Sequence, residues 1–271
     1  MNDKRYSLWE DYYDFPVGNN LFNETLKFHN KTNWIHKDNM TNMYDSIVKD
    51  WASSNAYKSK IPQNNFGVFE LEKTAEKGSR YGTERNFSDK RLNSVELSNL
   101  LIRSFGTNTN SSKRSYPSAG ALYPVIPILY LFEQESILGM KCPAGIFVFD
   151  SNKNTLVMLK EMDDLLKDKL TTIMNNNGDE KLPSNYCIGY ALDFSKTITK
   201  YKFRGYRHGI MEVGSMLQAF RVACWNSSGI AEFCSSAYDD FQVSKLSGLN
   251  LRDSQIILIQ WFGKVENIVS S

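Results

Sequence analysis

The sequence predicts an α+β fold. Strand-like and helix-like stretches alternate irregularly along its 271 residues, no regular strand–helix–strand repeat recurs, and no Gly-rich dinucleotide fingerprint opens a helix after a strand. Two short apolar runs, 145–149 and 155–159, joined by Asp150-Ser151-Asn152-Lys153-Asn154, read as a hairpin. A hydrophobic content of 41% suffices for a substantial core, in one large domain or two small ones.

Residues 1 to about 75 are rich in Asn and in aromatics set among polar positions (Trp9, Tyr12, Tyr13, Phe15, Phe22, Phe28, Trp34, Tyr44, Trp51). They predict irregular segments with short helices near 21–30 and 42–51. No repeat or low-complexity linker sets this part off, so it reads as an extension wrapped on a main domain of residues 76–271. Its aromatics need a surface to cover, and the alternative surface is a partner protein. Residues 77–92 are a basic, loop-like approach to a helix. Asn93 with Glu96 three residues on is a capping pair, Leu97, Leu100 and Leu101 make an apolar stripe, and Gly106 ends the helix. A polar loop, 107–113, follows. Ile126-Pro127-Ile128-Leu129-Tyr130-Leu131-Phe132 is a continuous apolar run of buried-strand length, with Pro127 suggesting an edge position or a bulge.

After the hairpin, Asp163–Met174 predicts an amphipathic helix with Leu166, Leu170 and Ile173 on one face, running out in Asn175–Gly178, and 186–194 predicts a strand. The basic run 196–207 opens a helix expected to continue to about Asn226 and to stop at Gly229. Gly209, Val213, Gly214 and Leu217 are small or apolar at helical spacing, so another backbone can approach that face closely. Strands at 231–236 and 255–262, with a short helix near 241–247, complete the chain.

The stretch Arg114-Ser115-Tyr116-Pro117-Ser118-Ala119-Gly120-Ala121-Leu122-Tyr123-Pro124 organises this reading. Its centre carries almost no side-chain bulk, two prolines restrict the backbone on either side, and it feeds directly into the 126–132 strand. A flat ring can lie against such a loop, and the planar fork of Arg114 suits a phosphate or another anion. A tight turn before a strand accounts equally well for the same residues.

Composition excludes several classes. A net charge of +2 does not suit a nucleic-acid protein. No N-terminal apolar segment and no run of eighteen apolar residues predicts a signal peptide or a membrane span, so a cytoplasmic protein is expected. Cys142, Cys187, Cys224 and Cys234 are scattered, and His29, His36 and His208 have no ligand spacing relative to them. Reduced thiols and no metal are expected.

The string Pro117–Pro124 resembles the signature of the azoline dehydrogenases of the nitroreductase superfamily, the flavoproteins of thiazole- and oxazole-modified peptide biosynthesis. The run Lys200-Tyr201-Lys202-Phe203-Arg204-Gly205-Tyr206-Arg207 is similar to one in the dehydrogenase subunits of microcin-type azole synthetases. The likeness continues through Met211-Glu212-Val213-Gly214-Ser215-Met216 and Gln260-Trp261-Phe262-Gly263, and faintly into Phe28-His29 and Asn33-Trp34. It spans most of the chain, strongly after about residue 80. It implies a nitroreductase-like fold, a mixed and mostly antiparallel sheet flanked by helices, in a homodimer with flavin mononucleotide (FMN) at its interface. The helix after residue 196 is then dimer-forming, with core packing inside one subunit as the competing account. Implied partners are an azoline-containing precursor peptide and the cyclodehydratase subunits of a synthetase complex.

Oxidising an azoline to an azole removes a proton from one ring carbon and a hydride from its neighbour. A side chain can take the proton but not the hydride, which a flavin accepts. The resemblance makes Lys200 and Tyr201 the catalytic pair, with Tyr201 as base. Lys200, Lys202 and Arg204 surround the phenol, and nearby positive charge favours a phenolate; a neutral Lys200 is the alternative base. Ser118, Ala119 and Gly120 are the expected contacts to the flavin ring. Arg85, beside Thr83, and Arg114 are candidates for its phosphate or pyrimidine, and Ser215 and Gln218 on the long helix are further candidates. Two positions depart from the family pattern: Ile126 stands where many members carry a carboxylate, and Ser215 where many carry His. A free-standing FMN nitroreductase or oxidoreductase and a flavin-free structural subunit are the competing functions, and the Lys200-Tyr201 pair, unneeded by a simple nitroreductase, separates the first from the leading one.

Overall fold

The computed structural model describes residues 19–33, 46–55, 69, 83–108, 113–175 and 181–266. Trp9, Tyr12, Tyr13, Phe15, Trp34, Tyr44 and the residues 77–82, 109–112 and 176–178 named above lie outside them. The chain divides into two compact units, Met1–Ile35 with Tyr81–Val269, and His36–Arg80 with Ser270–Ser271. Helix α2 (Ser46–Asn55) belongs to the second. The first unit holds every other helix and strand described.

Its centre is a six-stranded sheet in the order β5-β4-β2-β6-β8-β7, formed by β2 (Val125–Leu131), β4 (Gly145–Asp150), β5 (Thr155–Glu161), β6 (Tyr186–Asp193), β7 (Ile230–Ser235) and β8 (Ser254–Lys264). Every neighbouring pair in it is antiparallel. A two-residue parallel pair, β1 (Leu92–Asn93) with β3 (Ile137–Leu138), stands apart. Because side chains alternate across a strand, Leu129, Leu131, Ile188, Tyr190 and Leu192 enter one core with α3 (Ser94–Phe105) and α6 (Phe203–Trp225). Ile128, Tyr130, Cys187 and Ala191 enter a second core with α4 (Asp164–Met174) and α7 (Asp240–Leu246). Burial on both faces is why β2 reads as an unbroken apolar run.

The cap of α3 forms as its sequence predicts. Asn93 accepts from the Glu96 amide at 2.9 Å, and Glu96 accepts from the Asn93 amide at 2.9 Å. Two expectations are corrected. First, β2 is an interior strand, so Pro127 marks no sheet edge; its register with β4 begins only at Ile128, and the missing N–H removes no rung on that side. Second, the single helix expected over 196–226 is two. Helix α5 (Phe194–Tyr201) ends at Lys202, whose backbone is left-handed in φ (φ 56°, ψ −143°), and α6 starts afresh at Phe203. The Gly209 face also finds an internal reason, since a Cβ there would meet the Leu192 side chain at 2.7 Å. Gly214 of the same stretch faces open space.

Among the described residues no helix is long and apolar enough to cross a membrane. No group of three His, Cys, Asp or Glu there is placed to hold a metal. The four cysteines are free thiols.

Helix α1 (Asn19–Thr32) joins the body through a polar knot. Gln255 Oε1 accepts from Asn33 Nδ2 at 3.0 Å and lies 3.1 Å from His29 Nε2, while Gln255 Nε2 donates to Asn30 Oδ1 at 3.0 Å. Since Oε1 only accepts, His29 carries its proton on Nε2, and Nδ1 accepts from the Tyr206 hydroxyl at 3.3 Å. Burial lowers the His29 pKa from 6.5 against the opposing pull of Gln255. The unfolded chain therefore binds the proton more readily, and this contribution, complete above pH 6.5, is lost as pH falls below it. Denaturant titrations at pH 7.5 and 5.5 are expected to show less stability at the lower pH, and His29→Gln to show a smaller difference between the two.

Candidate active site

The register of the two central strands assembles the site. Val125, the first residue of β2, pairs with Leu192 near the end of β6, and the Asp193 amide donates to the Pro124 carbonyl at 3.0 Å. The loop before β2 and the helix after β6 therefore emerge side by side at one end of the two central strands. That helix, α5, is capped by Asp193, which accepts from the Ser195 amide at 2.9 Å. It carries Lys200 and Tyr201 in its last turn, where the Lys202 break stops it. Gly205, at the start of α6, lies against the Thr197 carbonyl so closely that a Cβ would overlap it.

The loop itself is strained. Gly120, Ala121 and Tyr123 have φ of 63°, 54° and 47°. Two of these are not glycine, a conformation that costs about 1–3 kcal/mol per residue and persists only where the surroundings impose it. Ser118 Oγ accepts the Tyr123 amide at 2.9 Å. The Arg114 guanidinium lies 4.2 Å from the centre of the Tyr123 ring and donates to the Tyr116 hydroxyl at 2.9 Å. Tyr116 meets Tyr123 edge-on at 6.0 Å. Burial pushes the Tyr116 phenol up to about 12, with Arg114 opposing.

Gly120 is exposed, yet a Cβ on it would collide with both Lys200 Nζ and the Tyr201 hydroxyl. Loop and pair, eighty residues apart in the chain, thus form one surface. Lys200 Nζ lies 5.4 Å from the centre of the Tyr201 ring. His208 meets the same ring edge-on at 4.9 Å. Ser118, Ala119 and Gly120 present an open shelf without bulk, with a cation and a phenol at its rim, which suits a flat, electron-poor ring.

No protein-family model matches the chain. The chain is 29% identical over 189 residues to the microcin B17-processing protein McbC of Escherichia coli, a match that covers 67% of this chain and 66%, just under two thirds, of that protein. Among solved structures, it superposes on the E. coli microcin synthetase McbBCD complex with truncated pro-MccB17 bound, with a TM-score of 0.67 and 22% identity, over 93% of this chain and 95% of the other. A protein described as a nitroreductase, from Ralstonia eutropha, matches with a TM-score of 0.56 and 18% identity over 78% and 97% of the two chains. The fold is that of the nitroreductases. The likeness read from the 117–124 and 200–207 motifs is thus matched by measured similarity along the chain.

Within this nitroreductase-like fold, the expected site residues do not all converge. Ser118, Ala119, Gly120, Lys200 and Tyr201 do, with Arg114 bound into the loop's own support. Ser215 and Gln218 line a groove on the outer face of α6 with Tyr116 and Pro117, and the Ser215 hydroxyl donates back to the Met211 carbonyl at 3.0 Å. Arg85 is at the far edge of the sheet, its guanidinium 5.4 Å from the centre of the Phe233 ring on β7.

Two residues at the site were not singled out for it from the sequence. His208 of α6 meets Tyr201 of α5 across the break at Lys202. Glu212, on α6, is 3% exposed, and among the described residues its Oε1 has no hydrogen-bond partner; burial raises its pKa, with Ser118 and Arg114 opposing. An acidic residue on an otherwise apolar helical face, one turn from Gly209, was the available signal.

The close approach at Gly205 gives a direct check on the break that sets Tyr201. Gly205→Ala puts a methyl into the Thr197 backbone, and such overpacking costs about 1–3 kcal/mol. Thermal and denaturant unfolding are expected to show that loss.

Proposed function

We propose that the protein is an FMN-dependent azoline dehydrogenase, oxidising thiazoline or oxazoline rings to thiazoles or oxazoles in a ribosomally made peptide. The observation that carries this reading is the contact between the Gly120 shelf and the Lys200–Tyr201 pair. It puts a proton acceptor at the rim of a surface shaped for a flat ring. Similarity to McbC, and superposition on a synthetase complex holding a pro-peptide, support the substrate class.

FMN held on this shelf supplies the hydride acceptor that no side chain provides. The remaining work falls to the chain. Ser118, Ala119 and Gly120 meet the ring, with backbone N–H groups available to its polar edge, and the absence of a side chain at Gly120 keeps ring, Lys200 and Tyr201 in reach of one another. Tyr201, with Lys200 beside its ring, acts as the base that takes the proton from the azoline carbon. His208 packs against the phenol ring and limits its movement.

In the same proposal the protein is a cytoplasmic homodimer. The shelf sits at the ends of the central strands β2 and β6 and Arg85 beside the edge strand β7, so in this reading a site using both draws on two copies. The outer face of α6, where Met211 and Val222 are exposed beside Gly214, Ser215 and Gln218, is the surface offered to the second copy. The segment 1–75 serves as the extension of the main domain, residues 76–271, and its aromatics provide contacts for cyclodehydratase subunits.

The purified protein is expected to be yellow with non-covalent FMN, and Gly120→Val to be folded and colourless. Light scattering with saturating FMN is expected to give a dimer, and Met211→Glu a monomer. Tyr201→Phe should keep its FMN and lose about 10²- to 10⁴-fold in peptide oxidation, leaving azolines heavier by two hydrogens per ring in the mass spectrum. Lys200→Ala should weaken the same step. Wild-type rates in both variants would remove the pair from the mechanism. Colourless wild-type protein that takes up no FMN would remove the oxidoreductase reading altogether.

A further inference from the structure

The polar knot at His29 closes onto the helix pair that carries Lys200 and Tyr201. The His29 ring, 4% exposed, touches both helices. Its centre lies 4.7 Å from that of Phe194, the first residue of α5, and 5.9 Å from that of Tyr206, four residues into α6. Phe194 and Tyr206 in turn lie parallel at 6.1 Å, and Phe28 of α1 meets Tyr206 edge-on at 5.5 Å. Both His29 nitrogens are engaged, Nε2 with Gln255 on β8 at 3.1 Å and Nδ1 with the Tyr206 hydroxyl at 3.3 Å. One side chain of α1 thus ties the start of α5, the start of α6 and the sheet together.

Tyr206 and His208 are two residues apart on α6, so they leave the helix about 200° from one another. Tyr206 turns its ring toward α1, and His208 meets the Tyr201 ring. Gly205 and Gly209 let the same two turns approach the Thr197 backbone and the Leu192 side chain. Those contacts set how near α6 comes, but a glycine has no side chain to resist turning of the helix about its own axis. The Tyr206 hydroxyl, held by His29, supplies that resistance.

We infer that His29 is a positioning residue for Tyr201: by holding the Tyr206 hydroxyl it fixes the rotation of the first turns of α6, and with it the place of His208 against the phenol. Loss of that hold would show at the Lys202 break. The Lys202 amide donates to the Ile198 carbonyl at 2.8 Å, and the Gly205 amide to the Lys202 carbonyl at 2.8 Å. These bonds bracket the left-handed residue and loosen when the two helices move relative to one another. The Gly120 shelf follows a different constraint, the pairing of β2 with β6, so His29 acts on the pair and not on the shelf. The consequence for oxidation rests on the function proposed above; the effect on the break does not.

The test uses variants of the full-length protein that alter one side of the contact at a time. Tyr206→Phe removes the hydroxyl and keeps the ring between Phe194 and Phe28, so it is the variant expected to fold as wild type. His29→Gln keeps a donor near the place of Nε2 but no acceptor at that of Nδ1. In both, amide hydrogen exchange at Lys202 and Gly205 is expected to quicken about tenfold, with the amides of β6 and β8 unchanged. The chain has three histidines, so histidine labelling resolves the His208 ring signals by NMR, and these should move in the same two variants. In peptide oxidation kcat should fall about ten- to a hundredfold, while the FMN dissociation constant keeps its wild-type value. Wild-type exchange at the break and unmoved His208 signals in Tyr206→Phe overturn the positioning role. Losses that add in the double variant overturn action through the His29–Tyr206 hydrogen bond. A loosened break with wild-type kcat overturns the link to Tyr201. Wild-type protein that binds no FMN, with the exchange and NMR responses intact, overturns the proposed function and leaves the effect of His29 on the break standing.

Discussion

The antiparallel pairing of β2 with β6 is the constraint on which the site depends. Pairing Val125 with Leu192 makes the loop that enters one strand and the helix that leaves the other exit at the same place. The Pro124–Asp193 hydrogen bond extends the pairing by one residue into both connections. A slip of one residue would turn every side chain of β2 to the opposite face, exchanging Leu129 and Leu131 for Ile128 and Tyr130 between two differently shaped cores. Hydrophobic burial on both faces of the sheet thus fixes the register, and the register fixes the distance between shelf and catalytic pair.

Polar groups inside this body are joined in chains. Tyr190 on β6 donates to Gln260 on β8 at 2.5 Å, Gln260 donates to Glu232 on β7 at 2.6 Å, and Arg221 of α6 closes the chain onto Glu232 at 2.5 Å. The chain crosses three strands and secures α6 to the sheet from below. Removing one partner of a buried ion pair typically costs about 3–5 kcal/mol, because it strands the other charge. Gln260 in the Gln-Trp-Phe-Gly motif therefore has a structural role. The motif's Trp261 and Phe262 fill the two cores on opposite faces of β8.

Strain in the 118–125 loop and the break at Lys202 are complementary. Each puts a non-glycine residue at positive φ, and each is held by close contacts: the loop by Ser118 and Arg114, the break by the approach of Gly205 to Thr197. Local conformations of this kind gather where geometry must be set more finely than a regular helix or strand allows.

Much of this was legible in the chain alone. Asn93 and Glu96 announced their capping box, Asp163 its helix, and the 145–159 hairpin its turn, because these signals depend on residues within a few positions of one another. The small-residue loop and the Lys200-Tyr201 pair were likewise visible as motifs. What a linear reading did not contain were the contacts made across the sheet. That β2 is interior despite Pro127 follows from where the β4 ladder begins. The helix break follows from a left-handed Lys202, a conformation that no local propensity favours and that close packing of two helices imposes. That Gly120 lies against Lys200 and Tyr201, and that His208 lies on Tyr201, were decided only by the tertiary structure. The first of these joins residues eighty or more positions apart and the second joins two helices across the Lys202 break, through strand register and helix packing whose energies belong to the whole core and to no short stretch of the chain.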